Sequence, residues 1–208
     1  MTLLFSQLES ARRNPARFAR EHARGGGFNS RNFRTYVVAA VRRFHRGMSK
    51  ADVTKFFEEK CAAKLSLLSY SQHRADNYKR VLGAYCDAFS PADCQYIESH
   101  KRVSLQVGNH LLTGKIDRFD LQDPIGYRAT AIQLTPQNWK DELRWPLIQK
   151  ALANEMGCAP SDVEIGVFSF DDGRYGYQVY PDADISAAEA EAESVLTAVE
   201  KNLPLRKV

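Results

Sequence analysis

The sequence has few residues of the kinds that build metal sites or disulfides. Its four cysteines, Cys61, Cys86, Cys94 and Cys158, are widely spaced, and its five histidines are scattered. Zinc sites are typically built on closely spaced pairs such as C-x-x-C, and this chain has none. We therefore interpret the cysteines as reduced, mostly buried thiols. No metal or other cofactor is predicted from these residues.

Long apolar runs are missing too. No stretch approaches the roughly 18 to 20 apolar residues that cross a bilayer, and residues 1–5 are too short for the apolar part of a signal peptide. We therefore expect a cytoplasmic protein without a membrane partner. A length of 208 residues suits one large domain, and we predict a single cooperative unit.

Acidic residues are scarce at the start of the chain. Residues 1–50 contain eleven lysines and arginines against only Glu9 and Glu21, a charge of +9, although the whole chain carries +4. Such a segment attracts phosphate backbones or an acidic protein surface. The alternative is that the arginines only solvate the outer faces of helices. The residues predicted to contact nucleic acid are Arg12, Arg13, Arg17, Arg20, Arg31, Arg34, Arg42, Arg43 and Arg46.

Apolar spacing predicts a helical N-terminal half. Helices are expected over residues 6–23, 30–46, 50–65 and 71–88. Pro15 should kink the first helix or divide it in two. The sequence Ser-Pro-Ala-Asp from Ser90 has an N-cap residue, a proline at the first helical position and an acid in the first turn, so it predicts another helix start.

From Arg102 the pattern alternates, as in strands. A hairpin that turns at Asn109 is expected, followed by a third strand over residues 127–135 and a helix over 138–156. Two further strands, 163–170 and 175–180, flank an Asp-Asp-Gly turn at 171–173, and an acidic helix closes the chain over 186–202. This order predicts an α/β or α+β fold, with a mixed sheet flanked by helices. A basic, helical region 1–100 should pack on a core formed by 101–208.

The predicted hairpin and the segments after it resemble a known family. The second strand of the hairpin contains G-K-I-D-R-F-D from Gly114, a later strand ends A-I-Q-L-T, and the next helix contains E-L-R-W-P-L-I-Q. In order and spacing these segments resemble the RecB-type PD-(D/E)XK nucleases, which have G-x-I-D-R, D-x-K-T and a helix with L-Q-x-x-x-Y. Residues 5–8 and 14–18 are also similar to the N-terminal motifs of that family. The resemblance implies a PD-(D/E)XK-like sheet and helices.

The resemblance places Asp117 at the family's catalytic aspartate, Gln149 at the helix glutamine and Thr135 at the threonine. The family hydrolyses phosphodiesters with carboxylates that hold one or two divalent ions and with a lysine near the attacking water. The later strand, which matches the family's D-x-K-T, has Ile132 and Leu134 at the acid and lysine positions in this chain. In the register shifted by one residue they are Ala131 and Gln133, so no acid or lysine is present in either register.

Other residues are candidate replacements. Glu142 lies seven residues before Gln149, so on one helix both would share a face, and Glu142 would then replace the missing carboxylate. Alternatively, Glu142 is a first-turn acid favoured by the helix dipole. Lys115 and Lys140 are weaker candidates for the lysine. His45 is either a metal-binding histidine or an ordinary helix residue.

Asp117 also has a structural interpretation, as the partner of Arg118 or Arg128 in a salt bridge. In that case it would need no metal.

Three functions follow from these observations. The favoured hypothesis is a catalytically inactive, nuclease-like subunit that binds DNA largely independently of sequence, or acts as a scaffold, within a DNA-processing or anti-phage defence assembly with a protein partner. The second is an Mg²⁺- or Mn²⁺-dependent DNA nuclease with a rearranged site built on Asp117 and Glu142. The third is a purely structural subunit that docks protein neighbours.

Overall fold

A computed structural model of the chain describes residues 1–23, 33–65, 71–89, 95–122, 126–133, 138–170 and 173–204. These residues form seven α-helices and one mixed sheet of six strands. The helices are α1 (Leu8–Arg13), α2 (Pro15–Ala23), α3 (Phe33–His45), α4 (Lys50–Leu65), α5 (Ser71–Ala88), α6 (Arg144–Met156) and α7 (Asp182–Lys201). The strands are β1 (Thr2–Leu4), β2 (Gln95–Val107), β3 (His110–Gln122), β4 (Gly126–Gln133), β5 (Val163–Ser169) and β6 (Tyr175–Gln178). The mixed α/β class predicted from the sequence is confirmed.

The long strand β3 organises the sheet. It pairs along its length with β2 in an antiparallel hairpin, and its start also pairs in parallel with β1. Its end pairs antiparallel with β4, which pairs in parallel with β5, and the short β6 completes the sheet. The β4–α6–β5 segment is a crossover unit, the connection that parallel neighbours require.

Helices cover both faces of the sheet. One apolar core joins α1, α2, α6 and α7 to strand residues such as Ala131 and Val167. A second core joins α3, α4 and α5 to Ile132 and Phe168, the residues that follow next along each strand. Since successive strand residues point to opposite faces, the two helical groups lie on opposite sides of the sheet. Strand β5 is therefore buried almost continuously, and β4 is buried over residues 129–132.

Several predicted elements differ from the structure. Pro15 does divide the first helix, at Asn14. The prediction of a helix that starts at Ser90 is wrong from residue 95 onward, because residues 95–107 form the strand β2. Residues 90–94 lie outside the described part of the chain. The long strand β3 provides a pairing edge for residues 95–101, and this long-range pairing overrides the local start signal. Strand β1, three residues long, was not predicted.

The hairpin turn and the closing helix lie close to the predicted positions, whereas α6 begins at Arg144 and not at residue 138. The turn falls at Gly108 and Asn109, as expected. The turn residues Asp171 and Asp172, and Thr135 in the third strand, lie outside the described residues. None of the described helices is long and apolar enough to cross a membrane.

Candidate functional site

The sheet opens beside Asp117. Pairing between β3 and β4 ends at Arg118 and Thr130, whereas β4 continues to pair with β5 as far as Gln133. Asp117 is the next β3 residue, and its Oδ2 accepts a hydrogen bond of 2.8 Å from the backbone N–H of Ile132. The carboxylate therefore takes the place of the β3 backbone carbonyl that would accept this N–H if β3 and β4 were still paired here. A buried N–H needs such an acceptor, so Asp117 has a structural role at this opening.

His100 of β2 lies across from Asp117. The pairs Ser99–Arg118 and Lys101–Ile116 flank these two residues in the hairpin. His100 has φ +57°, the only positive φ of a non-glycine residue in the described ranges. This conformation costs on the order of 1–3 kcal/mol and often occurs at functional sites. The irregular backbone of β2 thus coincides with the separation of β3 from β4.

A cleft of about 1170 Å³ occupies this opening. Residues of β2, β3 and β4 line it, together with Leu4, Phe5 and Ser6. Helices α3 and α6 border it from opposite faces of the sheet. Gly114 has a packing role here, because a Cβ at this position would come within 3.0 Å of Phe5 Cδ2.

Cations outnumber acids in the cleft. The cationic lining residues are Arg42, Arg102, Lys115 and Arg144, and the acids are Asp117 and Glu155. Both acids have partners, since Asp117 holds the Ile132 N–H and Glu155 lies 2.7 Å from Lys101 Nζ. Arg144 forms an ion pair with Glu142.

Arg102 and Lys115 form the least compensated pair. They are directly opposite on β2 and β3, and both side chains are exposed. Neither is part of an ion pair with another described residue. Like charges directly opposite across two strands repel and destabilise the hairpin. An anion between them would replace this repulsion with attraction.

The positive potential acts on His100. Burial, together with Arg42, Lys115 and Arg46, lowers the pKa of His100 to about 4. His100 is therefore neutral at physiological pH, and its ring contacts the Arg42 guanidinium. The neutral ring can accept hydrogen bonds but adds no charge to the cleft.

Of the three predicted catalytic residues, only Asp117 lines the cleft. Glu142 precedes α6 in an extended conformation, so the expectation that it shares a helix face with Gln149 is wrong. The three residues 139–141 form a short 3₁₀ helix, and α6 begins only at Arg144. Pro146 lies in the first turn of α6, where its missing N–H costs nothing. This explains why α6 begins at Arg144.

Gln149 is fully buried in the core beneath α6. Its amide donates to the carbonyls of Pro160 and Tyr180, each at 2.9 Å, and its oxygen accepts from the Tyr180 N–H at 2.8 Å. The side chain therefore ties α6 to the segments before β5 and after β6.

His45 is a buried core residue in this structure. Its ring bonds to Ser99 Oγ at 2.7 Å and to the Tyr85 hydroxyl at 2.9 Å. Burial, with Arg118 nearby, lowers its pKa to about 3. The side chain of Lys140 is exposed, and Lys140 does not line the cleft.

The predicted arginines do not share one surface. Arg12, Arg13, Arg17 and Arg20 lie on α1 and α2, which pack against the acidic α7, and Arg12 pairs with Glu191 at 2.6 Å. Arg42, Arg43 and Arg46 lie on or just after α3, and only Arg42 lines the cleft. Arg43 stacks on Phe56. Arg31 and the side chain of Arg34 lie outside the described residues.

Sequence reasoning missed Arg102, Arg144 and His100. The sequence could have shown that two of the cleft cations, Arg102 and Lys115, face each other. A two-residue turn at Gly108 and Asn109 pairs Val107 with His110, and counting five residues outward on each strand pairs Arg102 with Lys115. For Arg144 and His100 no comparable signal exists, because their placement depends on where α6 starts and where the sheet opens.

Comparison of the sequence with models of known protein families gives no match, and a search of curated proteins finds no match either.

Proposed function

We propose that this chain is a nuclease-like module of the PD-(D/E)XK kind that binds DNA in the cleft without cleaving it. It would act as a subunit of a larger DNA-processing or anti-phage defence assembly. Backbone phosphates are the natural ligands of a cationic cleft, and they carry no sequence information. The binding we propose is therefore largely independent of sequence.

The observation that carries this proposal is the facing pair Arg102 and Lys115. The two exposed cations are held side by side by hairpin register, with Arg42 and Arg144 lining the same cleft. This geometry costs stability in the free protein, and a phosphate group would relieve the repulsion. Burial is the main cause of the lowered pKa of His100, and Arg42 and Lys115 add to it.

The donor set of the cleft does not fit a divalent metal. Mg²⁺ and Mn²⁺ prefer several oxygen ligands, usually including carboxylates. In the cleft, β4 supplies Ala131, Ile132 and Gln133 beside Asp117. The other lining carboxylate, Glu155, pairs with Lys101, and Glu142 does not line the cleft. Within the described ranges, no three His, Cys, Asp or Glu side chains are grouped closely enough to hold a metal. An active nuclease built on Asp117 and Glu142 therefore has no geometric support among the described residues.

Replacing both Arg102 and Lys115 with alanine should weaken DNA binding by about tenfold or more at low salt. The slope of log affinity against log salt should become shallower by about 1.4 to 1.8, because two phosphate contacts are lost. Fluorescence anisotropy with labelled single- and double-stranded oligonucleotides at several salt concentrations measures both quantities. Parallel incubation with manganese tests for cleavage.

The matched control replaces Arg17 and Arg20, two exposed arginines of α2 that lie away from the cleft. This variant loses the same charge but should keep most of the affinity. An equal loss in both variants would show that α1 and α2, and not the cleft, contact DNA. Metal-dependent cutting would overturn the inactive assignment, and no affinity for any oligonucleotide would leave the structural-subunit hypothesis.

A bound oligonucleotide should raise the pKa of His100 above about 4, because phosphate charge offsets that of Arg42 and Lys115. The ring would then take up a proton on binding at mildly acidic pH, and affinity should increase as pH falls through that range. NMR titration of the His100 ring with and without oligonucleotide measures the shift. An unchanged pKa in the saturated complex would place the phosphates elsewhere.

A further inference from the structure

The facing cations Arg102 and Lys115 lie on the side of the sheet where α3 packs. Their neighbours along the strands, Val103 and Ile116, belong to the core beneath α6. Since successive strand residues point to opposite faces, the two cations point away from that core. They are therefore on the same side as the α3 residues that line the cleft.

Helix α3 adds two more cations at this place. Arg42 lines the cleft, and Arg46 follows four residues later, just beyond the end of the helix. Arg42 Nε donates a hydrogen bond to the ring of His100, which fixes the guanidinium beside the hairpin. Besides burial, Arg42, Lys115 and Arg46 each lower the pKa of His100, so all three lie near its ring. Arg102 is two residues further along the same strand.

These four cations lack ionic partners. All four side chains are exposed, and none forms an ion pair with another described residue. Asp117 lines the same cleft and contributes one negative charge, but its carboxylate is engaged by the Ile132 N–H. An excess of positive charge therefore remains at this place.

The cations form a cluster and not a row. On the same face of the hairpin, the next two cross-strand pairs are Ser104 with Thr113 and Gln106 with Leu111, all uncharged. Val38, one turn earlier on α3, is apolar. Successive pairs on one face are about 7 Å apart. A groove that follows a nucleic-acid backbone carries positive charge along its length, whereas here the charge is concentrated at one row of the sheet.

A concentrated cluster suits a group with more than one negative charge. Each phosphodiester of a backbone carries a single charge. A phosphomonoester carries about −1.5 to −2 at pH 7 and has three oxygens that accept strong hydrogen bonds. Arginine binds pairs of such oxygens with its two-pronged guanidinium.

We infer that the cluster of Arg42, Arg46, Arg102 and Lys115 binds a phosphomonoester, the group at a phosphorylated strand end and in a free nucleotide. This inference rests on the proposed function, because it specifies which phosphate the cleft cations prefer. Internal phosphodiesters would bind the same cations more weakly.

The first test uses one internally labelled oligonucleotide in three forms, with a phosphate on its first nucleotide, on its last nucleotide or on neither. One or both phosphorylated forms should bind the full chain about fivefold or more tightly than the form with hydroxyl ends, at equal salt. Fluorescence anisotropy measures the three affinities.

The second test separates the strand end from the free nucleotide. Adenosine monophosphate and cyclic adenosine monophosphate share base and ribose, but the first is a monoester and the second a diester. The monoester should displace the phosphorylated strand at a concentration about tenfold or more below that of the diester. Displacement only at concentrations far above the affinity of the strand assigns the site to strand ends, and displacement at similar concentrations assigns it to free nucleotides.

Arg42→Gln should reduce the preference for the phosphorylated strand to less than about twofold. The matched control is Arg43→Gln, because Arg43 is the next residue of α3 but stacks on Phe56 and does not line the cleft. The control should keep the preference. Thermal unfolding checks that both variants fold, and the ligand comparisons on the unaltered chain need no variant.

The outcomes separate this inference from the proposed function. Equal affinity for the three oligonucleotides, with the two adenosine nucleotides equally poor competitors, overturns the monoester site but leaves DNA binding intact. An equal loss of preference in Arg42→Gln and Arg43→Gln overturns its assignment to this cluster. No affinity for any oligonucleotide overturns the proposed function, and the monoester site then stands or falls on direct binding of the two adenosine nucleotides.

Discussion

Asp120→Ala is expected to lower the free energy of unfolding by about 3–5 kcal/mol. Asp120 is fully buried, and both of its oxygens accept hydrogen bonds from Arg118 Nε, at 2.8 and 2.7 Å. Burial raises the pKa of Asp120, while Arg118 opposes this shift. Removing the carboxylate leaves the Arg118 guanidinium buried over Phe89 with its main charged partner lost. Urea denaturation followed by circular dichroism measures the change.

Two further variants test whether the loss of stability comes from breaking the buried pair of Arg118 and Asp120. Replacing both members, Arg118→Met with Asp120→Leu, should recover most of the loss, because no uncompensated charge remains. Asp87→Ala breaks the exposed pair with Lys50 and should cost less than about 1 kcal/mol. A cost for Asp120→Ala no larger than that for Asp87→Ala would contradict the interpretation of a buried, mutually dependent pair.

Gln149→Leu should also be strongly destabilising, by about 3 kcal/mol or more, and should leave DNA affinity unchanged. The reason is that it removes the partner of two buried backbone groups, the N–H and carbonyl of Tyr180, and of the partly buried carbonyl of Pro160. The same urea and anisotropy measurements provide both values. Gln106→Leu, at an exposed strand position, is the reference for a glutamine without such contacts.

The two possible roles of Gln149 give opposite results. If binding is lost while stability is kept, Gln149 contacts the ligand, as the family resemblance implies. If stability is lost while the folded fraction binds normally, the glutamine holds α6 to the chain around Pro160 and Tyr180.

The sequence predicted most of the elements whose signals are local. The hairpin around Asn109 follows from alternation and turn residues, and the closing helix follows from apolar spacing. Strand β1 could not be found in this way, because three residues carry no periodicity and their pairing partners are far along the chain. The strand over residues 95–101 was hidden by a helix-start signal that was correct in form but overridden by pairing with β3.

The site was only partly predictable, for a different reason. Asp117 was selected by its motif, and the structure places it at the opening of the sheet. Glu142 was selected by counting along a helix that begins two residues after it, so the count had no physical basis. Residues 1–50 are strongly basic, yet α7 neutralises part of this charge through Glu191, and the fold places the remaining arginines on different surfaces. Charge along a sequence does not show which charges meet in space.

The pairing of β1 has a consequence for synthesis. Thr2 pairs with Leu111, and Leu4 with Thr113, so the residues of β1 find their sheet partners only after the long intervening stretch of chain has been made. Contacts so distant in sequence close late and slow folding. The cleft also needs α6, which ends at Met156. A ribosome-bound chain would therefore expose basic helices before it has a cleft, and any affinity for nucleic acid at that stage would be purely electrostatic.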